Sequence, residues 1–238
     1  MQHNIDVYND YALRYADLVV AREKAGGERE HFTSHLLAAI GDVAGLQVLD
    51  AGCGEGYLSR ILTRRGASVT GIDIASRLVE IARTKDPEGQ ITYQVVDLCK
   101  PLPEYQDHFD LVASFFVLND VYDYQGFLAT LASVTRPGGR LVFFMNSPYS
   151  YVMRGHLTDY FDTGKAFSYR GLAEAGVKVH YYHHTLEEYL DASLAAELQL
   201  QHLIDVPTPE GTFKRSSITL HPIGYHFPYF MILSFLKS

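Results

Sequence analysis

The sequence predicts a doubly wound α/β fold, and three observations carry that prediction. From residue 46 onward, short apolar runs alternate with amphipathic stretches. The runs are continuously apolar, as strands covered on both faces are. A glycine-rich segment sits between the first run and the first amphipathic stretch. Strand and helix alternating at this spacing give right-handed βαβ units and a parallel sheet. Ligands of such sheets lie beyond the carboxyl ends of the strands, near the topological switch point.

The elements follow in order. Residues 46–50 read as a buried strand. Residues 56–65 read as a helix with Leu58, Ile61 and Leu62 on one face and Gly66 as its stop. Residues 68–73 form the second strand. Residues 75–85 form a helix with Leu78, Val79 and Ala82 inward and Pro87 beyond its end. Residues 91–96 are a third strand rich in β-branched side chains. A fourth strand at 109–115 leads to a helix over about 122–135, a turn at Arg136-Pro137-Gly138-Gly139 and a fifth strand at 140–145. Thr185-Leu186-Glu187-Glu188 matches a capping box and opens a helix to about residue 198. Strands at 200–206 and 229–236 complete a seven-stranded sheet with helices on both faces.

Two segments break the alternation. In residues 1–34, Tyr8, Tyr11 and Tyr15 share one helical face; they either pack that helix on the core or face a ligand. Residues 147–183 are long, aromatic and poor in periodicity, and read as a substrate-covering insertion after the fifth strand. At 238 residues, against roughly 150 per domain, one domain is expected. It divides into an N-terminal helical lid (1–34), a cofactor-binding core (35–146), the insertion (147–183) and the late helix and last strands (184–238).

Composition narrows the function. Acidic residues outnumber basic ones, 28 to 20, for a net charge of −8, and no Lys/Arg-rich run occurs. General nucleic-acid binding needs clustered cations, so none is expected. No stretch is long and apolar enough to span a membrane, and the N-terminus lacks the pattern of a secretory signal. Two cysteines, Cys53 and Cys99, are too few for a disulfide scaffold or a four-cysteine metal site. A cytoplasmic protein without a metal is the expectation. The 17 Tyr and 13 Phe fill a core first and line a pocket second.

The strongest signal is Asp50-Ala51-Gly52-Cys53-Gly54-Glu55-Gly56-Tyr57. Glycines between a strand and a helix let the backbone approach a ligand beside free N–H groups. Asp73 ends the second strand, 21 residues beyond Gly52, where a carboxylate takes both hydroxyls of a ribose. A nucleoside-containing cofactor follows. The dinucleotide fingerprint G-x-G-x-x-G would put a glycine at Tyr57, and Asp50 would oppose a pyrophosphate; both disfavour NAD. Asp50 would instead orient the loop or help hold an ammonium group.

Residues 48–59 resemble motif I of the class I S-adenosylmethionine-dependent methyltransferases, of the small-molecule type. Val69-Thr70-Gly71-Ile72-Asp73-Ile74 is similar to the second motif, Val96-Asp97-Leu98 to the third, Phe109-Asp110-Leu111-Val112 to the fourth and Arg136-Pro137-Gly138-Gly139-Arg140-Leu141 to the fifth. The resemblance implies a Rossmann-like sheet and a residue-by-residue site. Gly52, Cys53, Gly54 and Gly56, with Asp50, would border the methionine part of the cofactor. Asp73 would hold the ribose, Ile74 would pack on the adenine, and Asp97 with Leu98 would meet its edge. Ser114 and Phe115 would lie under the sulfonium, and Tyr11 or Tyr15 would touch the cofactor carboxylate. Phe116, Asn119, Tyr149 and Tyr182 are the candidate acceptor contacts. Ser147-Pro148 and Tyr182-His183-His184 depart from His-Pro and Tyr-His-Arg, which small-molecule relatives often carry.

Methyl transfer from a sulfonium is an in-line displacement in which alignment carries most of the effect, and aromatic faces stabilise the cation. An acceptor hydroxyl or ammonium must lose a proton, a role that suits histidine. His183 and His184 are the candidate catalytic bases, with His156 a third. The expected function is methyl transfer from S-adenosylmethionine to O, N or C of a small aromatic or apolar metabolite, in specialised metabolism, by a monomer or homodimer. Two alternatives stay open: a cyclase-like fold that binds the cofactor without methylating, and an RNA or protein methyltransferase.

Overall fold

A computed structural model of the chain describes residues 2–25, 28–153, 155–172, 177–207 and 228–238. At its centre are β1 (Gln47–Ala51), β2 (Ser68–Asp73), β3 (Thr92–Val95), β4 (Phe109–Phe115), β5 (Thr135–Asn146), β8 (Leu198–Val206) and β9 (Phe230–Lys237), with β6 (Ala166–Leu172) and β7 (Val177–Tyr182) forming a separate antiparallel hairpin. The sheet order is β3-β2-β1-β4-β5-β9-β8. The first five strands are parallel, and β9 runs antiparallel between β5 and β8. The chain winds outward from β1 to β3, then returns to β4 on the other side of β1. The switch point, and with it the ligand crevice, therefore lies over the β1–β4 pair.

Successive strand residues feed opposite faces. Val48, Leu111 and Phe144 enter one core with Leu36 and Ile40 of α3 (Glu28–Ile40) and Leu58 of α4 (Tyr57–Arg64). Leu49, Val112 and Phe143 enter the other with Phe127 and Leu131 of α6 (Tyr124–Val134) and Tyr189 of α8 (Leu186–Ala195). Both faces being covered is why these strands carry no alternation. The strand β8 is an edge, mostly exposed along its length, with Leu200, Leu203 and Ile204 among its exposed side chains.

The predicted seven strands and their helices are present, with boundaries moved by at most three residues except at the start of β5, which moves by five. Four differences have physical causes. The turn at 136–139 is drawn into β5: Phe109 pairs with Thr135 and Leu111 with Arg140, so the glycine segment is looped out as a bulge with Gly138 at φ 76°. The late helix stops at Ala195, short of 198, and Glu197 takes a left-handed φ of 59°. β8 starts at Leu198, two residues early. The insertion holds regular structure that its sequence did not signal, α7 (Pro148–Met153) and the β6–β7 hairpin. The capping box is present in full: Thr185 Oγ1 accepts the Glu188 N–H at 3.1 Å and Glu188 Oε2 accepts the Thr185 N–H at 2.9 Å.

The N-terminal helices α1 (Gln2–Asp10) and α2 (Ala12–Ala25) cross the strand tips. Asn4 ties α1 to the rest: its amide donates to the carbonyls of His180 (2.8 Å) and Asp120 (3.2 Å), and its oxygen accepts the His180 N–H (2.9 Å). Among the described residues no helix is long and apolar enough to cross a membrane.

Candidate functional site: a glycine cradle at the strand tips

The loop after β1 is closed onto β2, because the N–H groups of Gly52 and Cys53 both donate to the carbonyl of Ile72. Gly52, Gly54 and Gly56 have φ values of 82°, 55° and 82°, a left-handed conformation that only glycine adopts at little cost. Two of them also lack room for a side chain. A Cβ on Gly52 would lie 2.3 Å from Val117 Cγ2, and one on Gly56 would lie 2.3 Å from the Tyr93 hydroxyl. Gly56 caps α4, so the loop ends at the positive pole of a helix.

Acidic groups frame this cradle. Asp73 Oδ2 accepts the Gly54 N–H and Oδ1 the Ala75 N–H, both at 2.8 Å. Burial raises its pKa, and these backbone bonds pull the other way. Each oxygen keeps a lone pair for a further donor. Asp50 is buried beneath the loop and accepts the Ser59 hydroxyl at 2.5 Å. Burial pushes its carboxyl up to about 7. Glu55 is buried too, but paired with Arg60 and Lys85. Its charge holds α4 and α5 (Ser76–Thr84) and is spent structurally.

Tyr15 roofs the loop: its ring lies 3.9 Å from where a Gly54 Cβ would be. Tyr11 instead packs with Tyr151, Val179 and Tyr181 near the hairpin. Arg29 of α3 lies over the Tyr57 ring at 4.1 Å and reaches Phe115 at 5.6 Å. Its Nε is buried with no hydrogen-bond partner among the described residues. Arg29 was not singled out from the sequence, where it is one more charge in a polar helix. Its function-bearing signal is a half-buried cation whose Nε has lost contact with solvent, which only packing creates.

On the adenine side, Ile74 is half-buried and Leu98 buried. Asp97 Oδ1 accepts the Cys99 N–H at 3.0 Å, an Asx turn, and Oδ2 lies 3.6 Å from Lys100. Cys53 is buried, and burial raises its thiol pKa well above the usual range, which leaves it unreactive.

Beyond β4 lies an aromatic wall. Phe116 has φ 63°, a strained conformation for a bulky residue. Its ring packs against Phe32, Phe115, Phe144 and Phe230 at 4.7–5.9 Å. Ser114 donates to the Ala51 carbonyl at 3.0 Å, joining β4 to β1. Asn119 accepts the Asn146 N–H at 2.9 Å, so that face of its amide is engaged by the tip of β5. Tyr182 is buried edge-on to Tyr122, and Tyr149 is exposed and stacked on Tyr160.

The histidines sit elsewhere. His183 is fully buried between Tyr151 and Tyr160, and its Nε2 lies 2.7 Å from the Tyr160 carbonyl. A carbonyl only accepts, so Nε2 carries the proton. Nδ1 has no partner among the described residues. His184 packs tilted against Tyr124 at 4.1 Å and faces Glu188, and burial lowers its pKa. His156 stacks on Phe167. The structure thus brings Tyr15, Asp50, the glycines, Asp73, Ser114 and Phe115 together, and places the histidines among the aromatics of the insertion and α8.

A family model described as a methyltransferase domain matches residues 49–143. The demethylmenaquinone methyltransferase of Tropheryma whipplei is 41% identical over 113 residues, 47% of this chain and 46% of that protein. The ubiquinone biosynthesis O-methyltransferase of Xanthomonas euvesicatoria is 39% identical over 102 residues, 42% of this chain and 43% of that one. The crystal structure of an S-adenosylmethionine-dependent methyltransferase from Mesorhizobium loti superposes with a TM-score of 0.68 at 26% identity, covering 87% of this chain and 98% of that one. Over residues 49–143 the chain is similar to methyltransferase domains, and its fold is similar to that of an S-adenosylmethionine-dependent methyltransferase. The chain spans about half the length of the curated relatives it matches, and the segment matched by the family model contains the cradle. The N-terminal helices and the segment 147–183 lie outside the matched family segment.

Proposed function

We propose that the protein transfers a methyl group from S-adenosylmethionine to a small aromatic or apolar metabolite. The observation that carries this reading is the cradle: three left-handed glycines, with the Gly54 N–H bonded to the half-buried carboxylate of Asp73, at the switch point of the sheet. When bound, S-adenosylmethionine supplies an electrophilic methyl group on a cationic sulfur. The chain's residues suit each part of that donor. Asp73 keeps lone pairs for two ribose hydroxyls. Ile74, Asp97 and Leu98 border the adenine. Gly52, Cys53, Gly54 and Gly56 bring backbone close to the methionine portion, with Asp50 beneath. Arg29 and Tyr15 offer a guanidinium and a hydroxyl to its carboxylate, and Ser114 and Phe115 lie under the sulfur.

In this reading residues 1–34 are a lid over a core of 35–146, residues 147–183 cover the acceptor, and 184–238 complete the single domain. Phe116, Tyr149 and Tyr182 offer aromatic surface to an acceptor, and Asn119 holds the wall in place. The two curated relatives are named for quinone methylation, and an aromatic acceptor of that size suits such walls.

Calorimetry with S-adenosylhomocysteine tests the reading. Binding at about micromolar Kd is expected, and Asp73→Ala should weaken it by at least about tenfold, or ~1.4 kcal/mol. Absence of binding to the unaltered protein would overturn the donor assignment. Equal binding by Asp73→Ala would remove the ribose contact.

A further inference from the structure

One carboxylate near the crevice has no structural explanation. Asp120 lies five residues beyond the tip of β4, beside the switch point. Its Oδ2 accepts the Tyr8 hydroxyl of α1 at 2.6 Å. Its Oδ1 is out of solvent contact and has no hydrogen-bond partner among the described residues. Asp73 and Asp110 are satisfied on both oxygens, Asp73 by two backbone N–H groups and Asp110 by Arg136 and the Gln47 N–H. An unpaired buried carboxylate oxygen is costly, and such groups concentrate at functional sites.

The surroundings link Asp120 to the cradle. Tyr8 packs edge-on to Tyr15 at 5.9 Å, and Tyr15 covers Gly54. The groups facing Asp120 are Tyr8 of α1, Tyr15 of α2, Tyr182 of β7, Tyr189 of α8 and, at longer range, Asp73 of β2. None is cationic, and among the described residues Asp120 has no ion pair. Burial, with the Asp73 charge adding to it and the Tyr8 bond opposing, pushes its carboxyl up to about 8. Burial also raises Tyr8 well above the ordinary tyrosine range, so Tyr8 stays protonated and donates.

We propose that Asp120 is the catalytic residue that takes the hydroxyl proton of a phenolic or quinol acceptor, with Tyr8 as the positioning residue that holds it. The proposal rests on the methyl-transfer reading above. The acceptor O–H bond breaks and its proton goes to Asp120 Oδ1. The oxygen's electron pair forms the O–CH3 bond, the C–S bond breaks, and its pair stays on sulfur, leaving a neutral thioether and a neutral carboxylic acid. The acid returns its proton to water after product leaves. A phenol titrates near about 10, close enough to this carboxyl for the transfer, whose rate rises with pH as the carboxylate ionises through about 8.

The test combines three readouts on the full chain. With aspartates labelled at the carboxyl carbon, one signal should titrate far above the usual carboxylate range. It should be absent in Asp120→Asn and move up by about one pH unit in Tyr8→Phe, which lacks the bond favouring the ionised form. Calorimetry with S-adenosylhomocysteine should give affinities within about twofold of the unaltered protein for both variants. With methyl-labelled donor and catechol or a 1,4-naphthoquinol as probe, Asp120→Asn should lower kcat by about 100-fold or more. Tyr8→Phe should shift the acid limb of the kcat profile to higher pH. Full turnover in Asp120→Asn, or an Asp120 signal titrating near pH 4, overturns the proposal. Transfer to neither probe, with S-adenosylhomocysteine still bound, overturns the hydroxylic acceptor and the proposal with it but leaves the donor reading intact. No S-adenosylhomocysteine binding overturns the donor reading instead.

Discussion

Gly52→Ala tests the cradle at its tightest point. The new Cβ would sit 2.3 Å from Val117 Cγ2, 2.9 Å from Cγ1 and 3.1 Å from Cβ, all closer than carbon atoms pack. Two costs follow. Holding alanine at φ 82° costs about 1–2 kcal/mol. Forcing a methyl into occupied space costs about 1–3 kcal/mol more. The expected loss is about 2–5 kcal/mol, a large part of a domain stability of about 5–15 kcal/mol. The two costs separate in a double-mutant cycle, because only the second involves Val117. Val117→Ala removes both Cγ atoms, so the double variant should lose less than the sum of the singles by about 1–3 kcal/mol. Urea unfolding of the four proteins measures this directly, provided m is unchanged across the set. The left-handed cost stays in the double variant, which should remain less stable than Val117→Ala. A Gly52→Ala protein within about 0.5 kcal/mol of the parent, or strictly additive singles, would refute the account of why glycine stands there.

Arg29→Met keeps an unbranched stem over Tyr57 and removes the guanidinium; S-adenosylhomocysteine should bind at least about tenfold more weakly. Methylthioadenosine, which has no carboxylate, should bind both proteins alike, and an equal loss for both ligands would disprove the carboxylate contact. Asp50 has a folded pKa of about 7 against about 3.9 unfolded. The fold therefore binds the proton more tightly, and ionisation costs stability as pH rises from about 4 to about 7. In ligand-free protein, Asp50→Asn should gain on the parent across that window, by at most about 4 kcal/mol, and hold a constant difference above it; parallel urea titrations at pH 4, 6 and 8 that show no convergence or divergence would count against this. Single His183→Gln and His184→Gln variants should keep quinol turnover within about threefold if Asp120 takes the proton; a loss of about 100-fold in either would move the base to the histidines.

Much of this protein was legible in its sequence because the signals are local. Continuous apolar runs marked strands covered on both faces, and Val48 and Leu49 do feed the two cores. Gly52, Gly54 and Gly56 stood between a strand and a helix, and only glycine suits the φ values found there. Asp73 was legible from its spacing to that loop, and Thr185 with Glu188 from a three-residue interval. Each of these properties is decided within a few turns of chain, where periodicity and backbone preference act.

What only the tertiary structure decided lies between residues far apart in sequence. Tyr8 meets Asp120 across 112 positions and Asn4 meets His180 across 176, and no local pattern encodes either pairing. The choice of Tyr15 over Tyr11 as the residue on Gly54 turns on how α1 and α2 cross the strand tips. The insertion's hairpin has no alternation to read, because its aromatics pack on α1 and α7 as well as on each other. Arg29 and Asp120 look like ordinary surface charges until packing removes their water, and it is desolvation, a property of the assembled fold, that turns a charge into a site.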